Sequence, residues 1–184
     1  MHDMNTPICD FVRAYARSGA CRLHMPGHKG EHFLGAESLD ITEIDGADSL
    51  YEADGIIRKS EKNASKLFEC DTFYSTEGSS QCIRAMLYLA MLYDKSKGRK
   101  TIIAAGRNVH KTFLSAVALL DLDVMWLYPC DEDNYLSCKI SKESLEKFFI
   151  ECQEKPTALY LTSPDYLGGI CDIEGISKIC KNYN

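Results

Sequence analysis

The 184-residue chain lacks the features that mark several large classes of protein. No apolar run approaches the roughly 20 residues that span a bilayer, and the first residues carry neither the basic flank nor the apolar core of a secretory signal. Lysine and arginine form no cluster and the formal net charge is -6, whereas binding to nucleic acid needs concentrated positive charge. We therefore expect a soluble, cytoplasmic protein that binds neither nucleic acid nor a membrane.

Close pairs of cysteines are also missing, although the chain contains nine cysteines. The number is odd, and no spacing suits a zinc ribbon or a thioredoxin-type redox site. We therefore expect reduced and mostly buried thiols rather than disulfides.

Three histidines, His24, His28 and His32, recur at every fourth residue, which is the spacing of metal ligands on one face of a helix. Pro26 and the glycines beside it interrupt such a helix, so the equal spacing does not bring the imidazole rings together. The sequence therefore predicts no metal site.

The N-terminal region reads as one helix followed by a long irregular segment. Thr6 suits a helix cap and Pro7 the first helical position, and apolar residues then recur at helical spacing. The more than thirty residues after residue 20 show no sustained periodicity. Loops of this length are usually functional or disordered. We therefore predict an arm helix with an irregular segment over residues 1–55 and one domain over residues 56–184.

Strand and helix patterns alternate through the rest of the chain. The predicted order is strand 72–76, helix 80–94, strand 101–105, helix 110–120, strand 124–128, a helix that Ser141 caps, strand 158–162 and helix 172–182. Strands separated by helices imply right-handed crossovers and a mainly parallel sheet with helices on both faces. The predicted fold class is therefore α/β, a three-layer αβα arrangement, with ligands at the carboxyl ends of the strands.

Gly78, Ser79 and Ser80 directly follow the first predicted strand and begin a helix. Unpaired backbone N–H groups and the positive end of the helix dipole favour a phosphate at such a position. The chain lacks the spaced glycines of a dinucleotide fingerprint and the Gly-Lys-Ser/Thr of a P-loop, which leaves a single phosphate or a mononucleotide-like ligand. Taken alone, the loop is better explained by serine as an ordinary helix cap.

His110 stands at the end of the next predicted strand and the start of the next helix. Its imidazole could stack on a flat ring or act as an acid or base near neutral pH. A helix-cap histidine that serves no ligand is the commoner occurrence in proteins, so both interpretations stay open at this point.

Several motifs stand in one order along nearly the whole chain. They are His24-Met25-Pro26-Gly27-His28-Lys29-Gly30, Asp40-Ile41-Thr42-Glu43 with Asp48-Ser49-Leu50, Ser60 with Ala64-Ser65, Glu77-Gly78-Ser79-Ser80, Arg107-Asn108-Val109-His110-Lys111, and Thr162-Ser163-Pro164-Asp165-Tyr166-Leu167-Gly168-Gly169 before Asp172-Ile173. In this order the motifs resemble the ornithine/lysine/arginine decarboxylase family, pyridoxal-phosphate enzymes of the aspartate aminotransferase fold (fold type I). The run 24–30 and the loop 107–111 are the most specific parts.

The resemblance implies that the chain forms an incomplete large domain of the pyridoxal-phosphate transferase type. By this resemblance Gly78, Ser79 and Ser80 cradle the phosphate of pyridoxal phosphate, and His110 stacks on the pyridine ring. Ser163 is expected near the ring oxygen of the cofactor or on the substrate side. Asp165 departs from the hydroxyl residue that the family often has at its position.

The resemblance also implies a carboxy-lyase that acts on lysine, ornithine or arginine. The alternation ends at Asn184 on a helix with no strand to follow, so we expect the Schiff-base lysine and the ring-nitrogen aspartate beyond that residue. These 184 residues by themselves are then expected to be inactive, to bind the cofactor weakly and noncovalently, and to self-associate as a homodimer or a larger assembly. The alternatives are an aminotransferase or another pyridoxal-phosphate lyase of the same fold, and a non-catalytic remnant or interaction module.

Overall fold

The structure, a computed structural model, describes residues 5–129 and 138–183. The chain divides into two compact units, one that ends at Thr76 and one that begins at Glu77. We refer to them as the N-terminal unit and the sheet unit. The sequence predicts that the second domain begins at residue 56, whereas the helix that begins at Ile56 packs within the N-terminal unit.

The N-terminal unit contains two α-helices, α1 (Pro7–Arg17) and α2 (Ile56–Phe68), which pack against each other. Thr6 occupies the N-cap position of α1, as the sequence predicts, but its hydroxyl donates to the Asp10 carboxylate at 3.0 Å and does not cap a backbone N–H. Between the helices the only regular structure among the described residues is two 3-10 turns, Glu37–Leu39 and Leu50–Glu52. Most of the segment between the two helices is therefore irregular.

The Asp48 carboxylate organises the start of α2. Its Oδ1 accepts hydrogen bonds from the backbone N–H groups of Ser49 and Asp54, and its Oδ2 accepts from Gly55 and Ile57, all at 2.8 to 3.0 Å. Gly55, the N-cap residue, offers no side-chain acceptor, so Asp48 supplies the capping oxygen from a distant position in the sequence.

The Arg22 guanidinium ties the irregular segment to α1. It donates to the backbone carbonyls of Ser38 at 2.6 Å and Glu37 at 3.3 Å. The same group lies 4.9 Å from the centre of the Tyr15 ring on α1, within the range of a cation–π contact. Side-chain contacts thus replace backbone ladders in this part of the chain.

The predicted strand at 72–76 is wrong, because no strand forms there. The Thr72 N–H donates to Ser65 Oγ at 2.9 Å, and the Tyr74 N–H donates to Glu61 Oε1 at 3.0 Å. Side chains of α2 thus satisfy backbone groups that a strand would pair with a neighbouring strand. The β-favouring composition of the segment says nothing about whether such a neighbour is present.

The sheet unit alternates helices and strands as the sequence predicts. The elements are α3 (Ser79–Lys95), β1 (Ile102–Gly106), α4 (Lys111–Leu120), β2 (Asp123–Leu127), α5 (Lys142–Glu151), β3 (Ala158–Tyr160) and α6 (Ile173–Asn182). The strands are parallel in the order β2-β1-β3, with Ile103 level with Val124 on one side and with Ala158 on the other. Most bounds agree with the prediction to within one residue, and β3 ends two residues early.

Helices cover both faces of the sheet. Ile103 of β1 belongs to a buried cluster with Ile83 of α3 and Phe113 of α4. Ala104, which points to the opposite face, belongs to a second cluster with Leu145 of α5 and with side chains of α6. The predicted α/β class with a parallel sheet is therefore confirmed, and fully burying one such large apolar side chain stabilises the fold by about 1.5–3 kcal/mol.

The buried carboxylate of Asp94 links two segments near the amino ends of the strands. The Asp94 side chain is 1% exposed and accepts hydrogen bonds from Arg99 Nη2 at 2.6 Å and from Arg99 Nε at 3.1 Å. The Thr157 hydroxyl also donates to it. Asp94 therefore ties the C-terminal end of α3 to the segment that enters β3.

The prediction of mostly buried cysteines is wrong for the described part of the chain. Cys138 and Cys171 are buried and Cys152 and Cys180 partly so, but the four earlier ones are exposed, namely Cys9, Cys21, Cys70 and Cys82. The physical reason is their location on exposed positions of α1, α3 and the irregular segments rather than between the sheet and its helices. All eight are free thiols, and Cys130 lies outside the described residues.

The described residues contain no group of three side chains that could hold a metal ion. His24 Nε2 lies 2.8 Å from the Tyr15 hydroxyl, whereas His28 Nε2 lies 3.1 Å from Asp40 Oδ2, so these two rings have different partners. Over the same residues, no helix has both the length and the apolar content to cross a membrane.

Candidate functional site

A cleft of about 410 Å³ lies in the sheet unit at the carboxyl ends of β1 and β3. Its walls include Ser79 at the start of α3, His110 at the start of α4, and the segment from Tyr160 to Tyr166 after β3. Volumes of about 300–1,000 Å³ are typical of small-molecule sites. Three of the five predicted cofactor-binding residues therefore share one cleft: Ser79, His110 and Ser163.

Gly78 is the N-cap residue of α3 and adopts φ +61° and ψ −154°. This conformation belongs to a region that only glycine enters readily. A Cβ atom at this position would meet no atom within 4 Å, so the backbone angles and not crowding require the glycine. The first N–H groups of an α-helix have no acceptor within the helix itself, so the start of α3 is a position where an anion is favoured.

An ion pair stands beside this loop. The Glu77 carboxylate, directly before Gly78, pairs with the Arg84 guanidinium on α3. A lone carboxylate would repel an anion at the helix start, and the cation of Arg84 offsets that repulsion. The sequence interpretation does not include Arg84, although its position two helical turns after Glu77 could have indicated the pair.

His110 caps α4 through its own side chain. Its Nδ1 accepts a hydrogen bond from the backbone N–H of Thr112 at 3.2 Å. The neutral imidazole therefore carries its proton on Nε2. His110 is half-buried and lines the cleft, so the cap and the ligand interpretations of this residue are compatible.

Thr112 is a site residue that the sequence interpretation does not include. Its hydroxyl lies 3.0 Å from His110 Nδ1 and 3.0 Å from Ser80 Oγ. Ser80 is half-buried and directed toward α4, and it is not part of the cleft wall. The only signal in the sequence is a threonine two residues after the capping histidine.

The loop after β3 is held by its own side chains. Ser163 lines the cleft, and its Oγ accepts from the Cys171 N–H at 3.1 Å. Asp165 Oδ1 accepts from the N–H groups of Leu167 at 2.9 Å and Gly169 at 2.7 Å. The carboxylate at the position where a hydroxyl is expected therefore shapes the turn.

Two buried polar atoms beside the cleft have no hydrogen-bond partner among the described residues. They are Nδ2 of Asn108, which precedes His110 by two residues, and Oγ1 of Thr162, which precedes Ser163. Such groups are rare in proteins, and each calls for an explanation such as a missing ligand or water. Thr162 is part of the cleft wall, so its hydroxyl fits a site that takes a polar ligand.

Apolar packing supports the floor of the cleft. The Tyr160 ring lies 4.6 Å from the ring of Phe113, and burial raises the pKa of the Tyr160 hydroxyl. Arg107 directs its guanidinium over the Trp126 ring at 4.8 Å, and its backbone N–H donates to the Cys138 thiol at 3.3 Å. The loop between β1 and His110 is therefore anchored on both sides.

The structure is that of a parallel α/β protein with a cleft at the carboxyl edge of its sheet, which is where such sheets bind ligands. The profile of the Orn/Lys/Arg decarboxylase major domain matches residues 6–184. The chain therefore belongs to the Orn/Lys/Arg decarboxylase family.

Curated relatives include two arginine decarboxylases. The one from Halalkalibacterium halodurans is 29% identical over 189 residues, which cover 96% of this chain and 37% of the relative. The one from Bacillus subtilis is 27% identical over 196 residues, which cover all of this chain and 39% of the relative. The chain thus spans less than two fifths of the length of these relatives.

Proposed function

We propose that the chain is the N-terminal part of a pyridoxal-phosphate-dependent decarboxylase of basic amino acids, with the aspartate aminotransferase fold. The observation that carries the proposal is the cleft that combines Ser79, His110 and Ser163. Membership of the family and the arginine decarboxylases among the relatives support it. In this proposal residues 56–184 form the N-terminal part of the cofactor-binding large domain.

The start of α3 would hold the phosphate of the cofactor. The donors would be the N–H groups of the first turn, the hydroxyl of Ser79 in the cleft wall and the hydroxyl of Ser80, which would turn its proton from Thr112 toward the phosphate. A Cβ at Gly78 would meet no atom within 4 Å. Charge-assisted hydrogen bonds of this kind are about twice as strong as neutral ones. The Glu77–Arg84 pair keeps the carboxylate beside the loop from repelling the phosphate.

His110 would lie against the pyridine ring, and Ser163 near its oxygen or on the substrate side. The Nδ1 of His110 accepts the backbone N–H of Thr112 in the cap of α4. This hydrogen bond would hold the imidazole plane in place against the pyridine ring. When bound, pyridoxal phosphate accepts the electron pair that departing carbon dioxide leaves on the amino acid. The chain's own part is to bind and orient the ring.

The same proposal makes these 184 residues inactive by themselves. No lysine among the described residues lines the cleft, and Asp165 is the one carboxylate in its wall and is engaged in the turn. The Schiff-base lysine and the ring-nitrogen aspartate would then come from another part of the protein. Release of carbon dioxide from arginine, lysine or ornithine by this chain alone would contradict this.

Titration of the chain with pyridoxal phosphate tests the proposed site. We expect weak, saturable binding that leaves no covalent product, and His110→Ala should weaken it about 3- to 10-fold because an aromatic contact contributes about 0.5–1.5 kcal/mol. His32→Ala, a change at an exposed histidine of the N-terminal unit, is the matched control and should leave binding unchanged. Absence of saturable binding would overturn the proposal.

Borohydride reduction followed by mass analysis tests the position of the lysine separately. A lysine that forms an imine with the cofactor becomes a stable pyridoxyl adduct on reduction. We expect no stoichiometric adduct. One adduct at a single lysine would show that the chain already contains the Schiff-base residue, while leaving the cofactor assignment intact.

An aminotransferase, another lyase of the same fold, and a non-catalytic module are the competing possibilities. The names of the relatives favour a decarboxylase over an aminotransferase. A module that only binds would retain cofactor affinity in every longer form of the protein without releasing carbon dioxide. The free thiols of the described residues are consistent with a cytoplasmic location.

We also propose that the protein self-associates. In the N-terminal unit Leu23, Phe33 and Leu34 are each more than 85% exposed, and exposed apolar patches mark interaction surfaces. Light scattering should show a dimer or a larger species at tens of micromolar, about the range in which exposed apolar surface associates. A monodisperse monomer under these conditions would contradict this part of the proposal.

A further inference from the structure

The Thr112 side chain joins the starts of two helices that bound the cleft. Thr112 is 8% exposed, and its hydroxyl lies 3.0 Å from Ser80 Oγ at the start of α3 and 3.0 Å from His110 Nδ1 at the start of α4. The three side chains form a continuous hydrogen-bonded path, which we call the Ser80–Thr112–His110 network. One end of this path belongs to the loop assigned to phosphate and the other to the residue assigned to the ring.

The donors in the network can be counted. Nδ1 of His110 accepts the backbone N–H of Thr112 at 3.2 Å, so Nδ1 carries no proton and Nε2 carries it in the neutral ring. The Thr112 hydroxyl has one proton, which it can donate either to Nδ1 or to Ser80 Oγ. The Ser80 hydroxyl likewise has one proton, which goes either inward to Thr112 or outward to a ligand.

These choices are linked. When Ser80 donates inward, Thr112 is free to donate to His110 Nδ1. When the Ser80 hydroxyl donates to a phosphate oxygen instead, it no longer donates to Thr112. The Thr112 hydroxyl can then turn from His110 Nδ1 and donate to Ser80 Oγ. A ligand at the helix start therefore changes the hydrogen bonding of the imidazole through one buried hydroxyl.

We propose that Thr112 is a positioning residue that couples phosphate binding at Ser80 to the hydrogen bonding and the orientation of the His110 imidazole. The inference rests on the proposed function, because it takes the loop as the phosphate site and His110 as the ring-facing residue. Thr112 is not part of the cleft wall. Its hydroxyl holds the Nδ1 edge of the imidazole inward, so that Nε2–H points away from the network.

Two substitutions separate the hydroxyl from the shape of the side chain. Thr112→Val removes the hydroxyl. It keeps the volume of the side chain and the backbone N–H that donates to His110 Nδ1. Thr112→Ser keeps the hydroxyl and is the rescue variant. Ser80→Ala breaks the same path from the other end and replaces Thr112→Val if that variant does not fold, as judged by the dispersion of its amide NMR signals.

Nitrogen NMR of the His110 ring in the 184-residue chain provides a measurement that does not depend on catalysis. We expect Nε2–H in the wild type. Inorganic phosphate or pyridoxal phosphate should shift both the Ser80 amide and the His110 ring signals in the wild type and in Thr112→Ser. In Thr112→Val the Ser80 amide should still shift while the ring signals do not, and affinity for pyridoxal phosphate should fall about 3- to 10-fold, the effect of one hydrogen bond.

The outcomes distinguish this inference from the proposed function. A ring response in Thr112→Val that equals the wild-type response, a protonated Nδ1 in the neutral wild-type ring, or no rescue by Thr112→Ser would overturn the role of Thr112 while phosphate still binds. A wild-type chain whose Ser80 amide responds to neither phosphate nor pyridoxal phosphate would overturn the phosphate site and the coupling together.

Discussion

The N-terminal unit and the sheet unit are each stabilised internally by a different kind of interaction. In the N-terminal unit charged side chains hold backbone groups, as Asp48 does at the start of α2 and Arg22 does at the carbonyls of residues 37 and 38. In the sheet unit a parallel ladder carries apolar side chains into two buried clusters. The comparison teaches that one region depends on charge and the other on burial, so different perturbations should affect them.

The largest expected effect is the loss of core packing in the sheet unit. Phe113 is fully buried and contacts Tyr160, so Phe113→Ala should lower the free energy of unfolding by about 3–5 kcal/mol. Phe33→Ala removes the same ring from a position that is 89% exposed, and it should change stability by less than about 0.5 kcal/mol. Denaturant titration followed by fluorescence of Trp126, whose ring lies 6.1 Å from that of Phe113, measures both variants.

Equal destabilisation by the two phenylalanine changes would break the distinction between the units. It would mean that Phe33 is buried in solution, for example against a second copy of the chain. Dilution of the sample would then reduce the effect of Phe33→Ala, because association depends on concentration.

The next effect concerns the one buried carboxylate described in the sheet unit. Asp94→Ala leaves Arg99 and the Thr157 hydroxyl without their acceptor. We expect a loss of about 2–3 kcal/mol, somewhat less than the roughly 3–5 kcal/mol of a fully buried broken pair, because Arg99 is half exposed. Asp123→Ala is the matched control. Asp123 pairs with Lys100, and both side chains are exposed, so this change should have little effect on stability. Thermal unfolding curves that coincide for the two variants would contradict the structural role of Asp94.

A smaller effect is expected at the helix start that we assign to phosphate. Gly78→Ala forces an alanine to φ +61°, which should lower the free energy of unfolding by about 1–3 kcal/mol. If the loop relaxes to avoid this strain, the binding of pyridoxal phosphate should weaken as well. Gly27→Ala is the control, because a Cβ there also meets open space but φ is not positive. If calorimetric titration and unfolding show the two variants to be alike, the conformation of Gly78 is not what the site requires.

The smallest and most specific effect is the response of the N-terminal unit to acid. Hydrogen bonds from the Leu34 and Gly35 N–H groups lower the pKa of Glu37 from 4.5 to about 2. Desolvation raises the pKa of Asp48, but hydrogen bonds from the Asp54, Ser49 and Gly55 N–H groups outweigh it, and the pKa lies below its ordinary value. Because both carboxylates bind protons more readily when unfolded, their contribution is complete above about pH 5 and is lost as the pH falls toward 2.

Amide NMR between pH 7 and pH 2 checks this difference between the units. The signals of residues 34–58 should lose dispersion before the Trp126 fluorescence changes. Asp172 in the sheet unit titrates in the same direction, since Lys142 lowers its pKa, but the apolar clusters there do not titrate. Glu37→Gln should flatten part of the pH dependence of the N-terminal unit, and loss of the Trp126 signal first would reverse the comparison.

Local patterns predicted the elements of the sheet unit well, for reasons that the structure makes plain. Ser141 accepts the N–H of Ser144 at the start of α5, and the apolar face that includes Leu145 and Phe149 is buried, so cap and periodicity agree with the tertiary packing. The segment 72–76 failed because its composition favours a strand while its N–H groups bind side chains of α2.

The candidate site divides in the same way. Residue type and position made Gly78 and His110 candidates, because a helix start and a helix cap are local features of the sequence. Arg84 and Thr112 escaped notice, since an ion-pair partner and a hydroxyl that spans two helices acquire meaning only when α3 and α4 lie side by side. The exposed cysteines escaped notice for a related reason, because burial depends on what packs against a helix.

The sequence by itself determined the alternation of helices and strands, the family and the residues at the ends of the strands, since periodicity, caps and short motifs are written within a few neighbouring positions. Only the tertiary structure decided that Ser79, His110 and Ser163 share one cleft, that Ser80 turns toward Thr112, and that Asp165 shapes a loop. These facts depend on the order β2-β1-β3, which brings residues more than 50 positions apart to one edge of the sheet because parallel strands end on the same side.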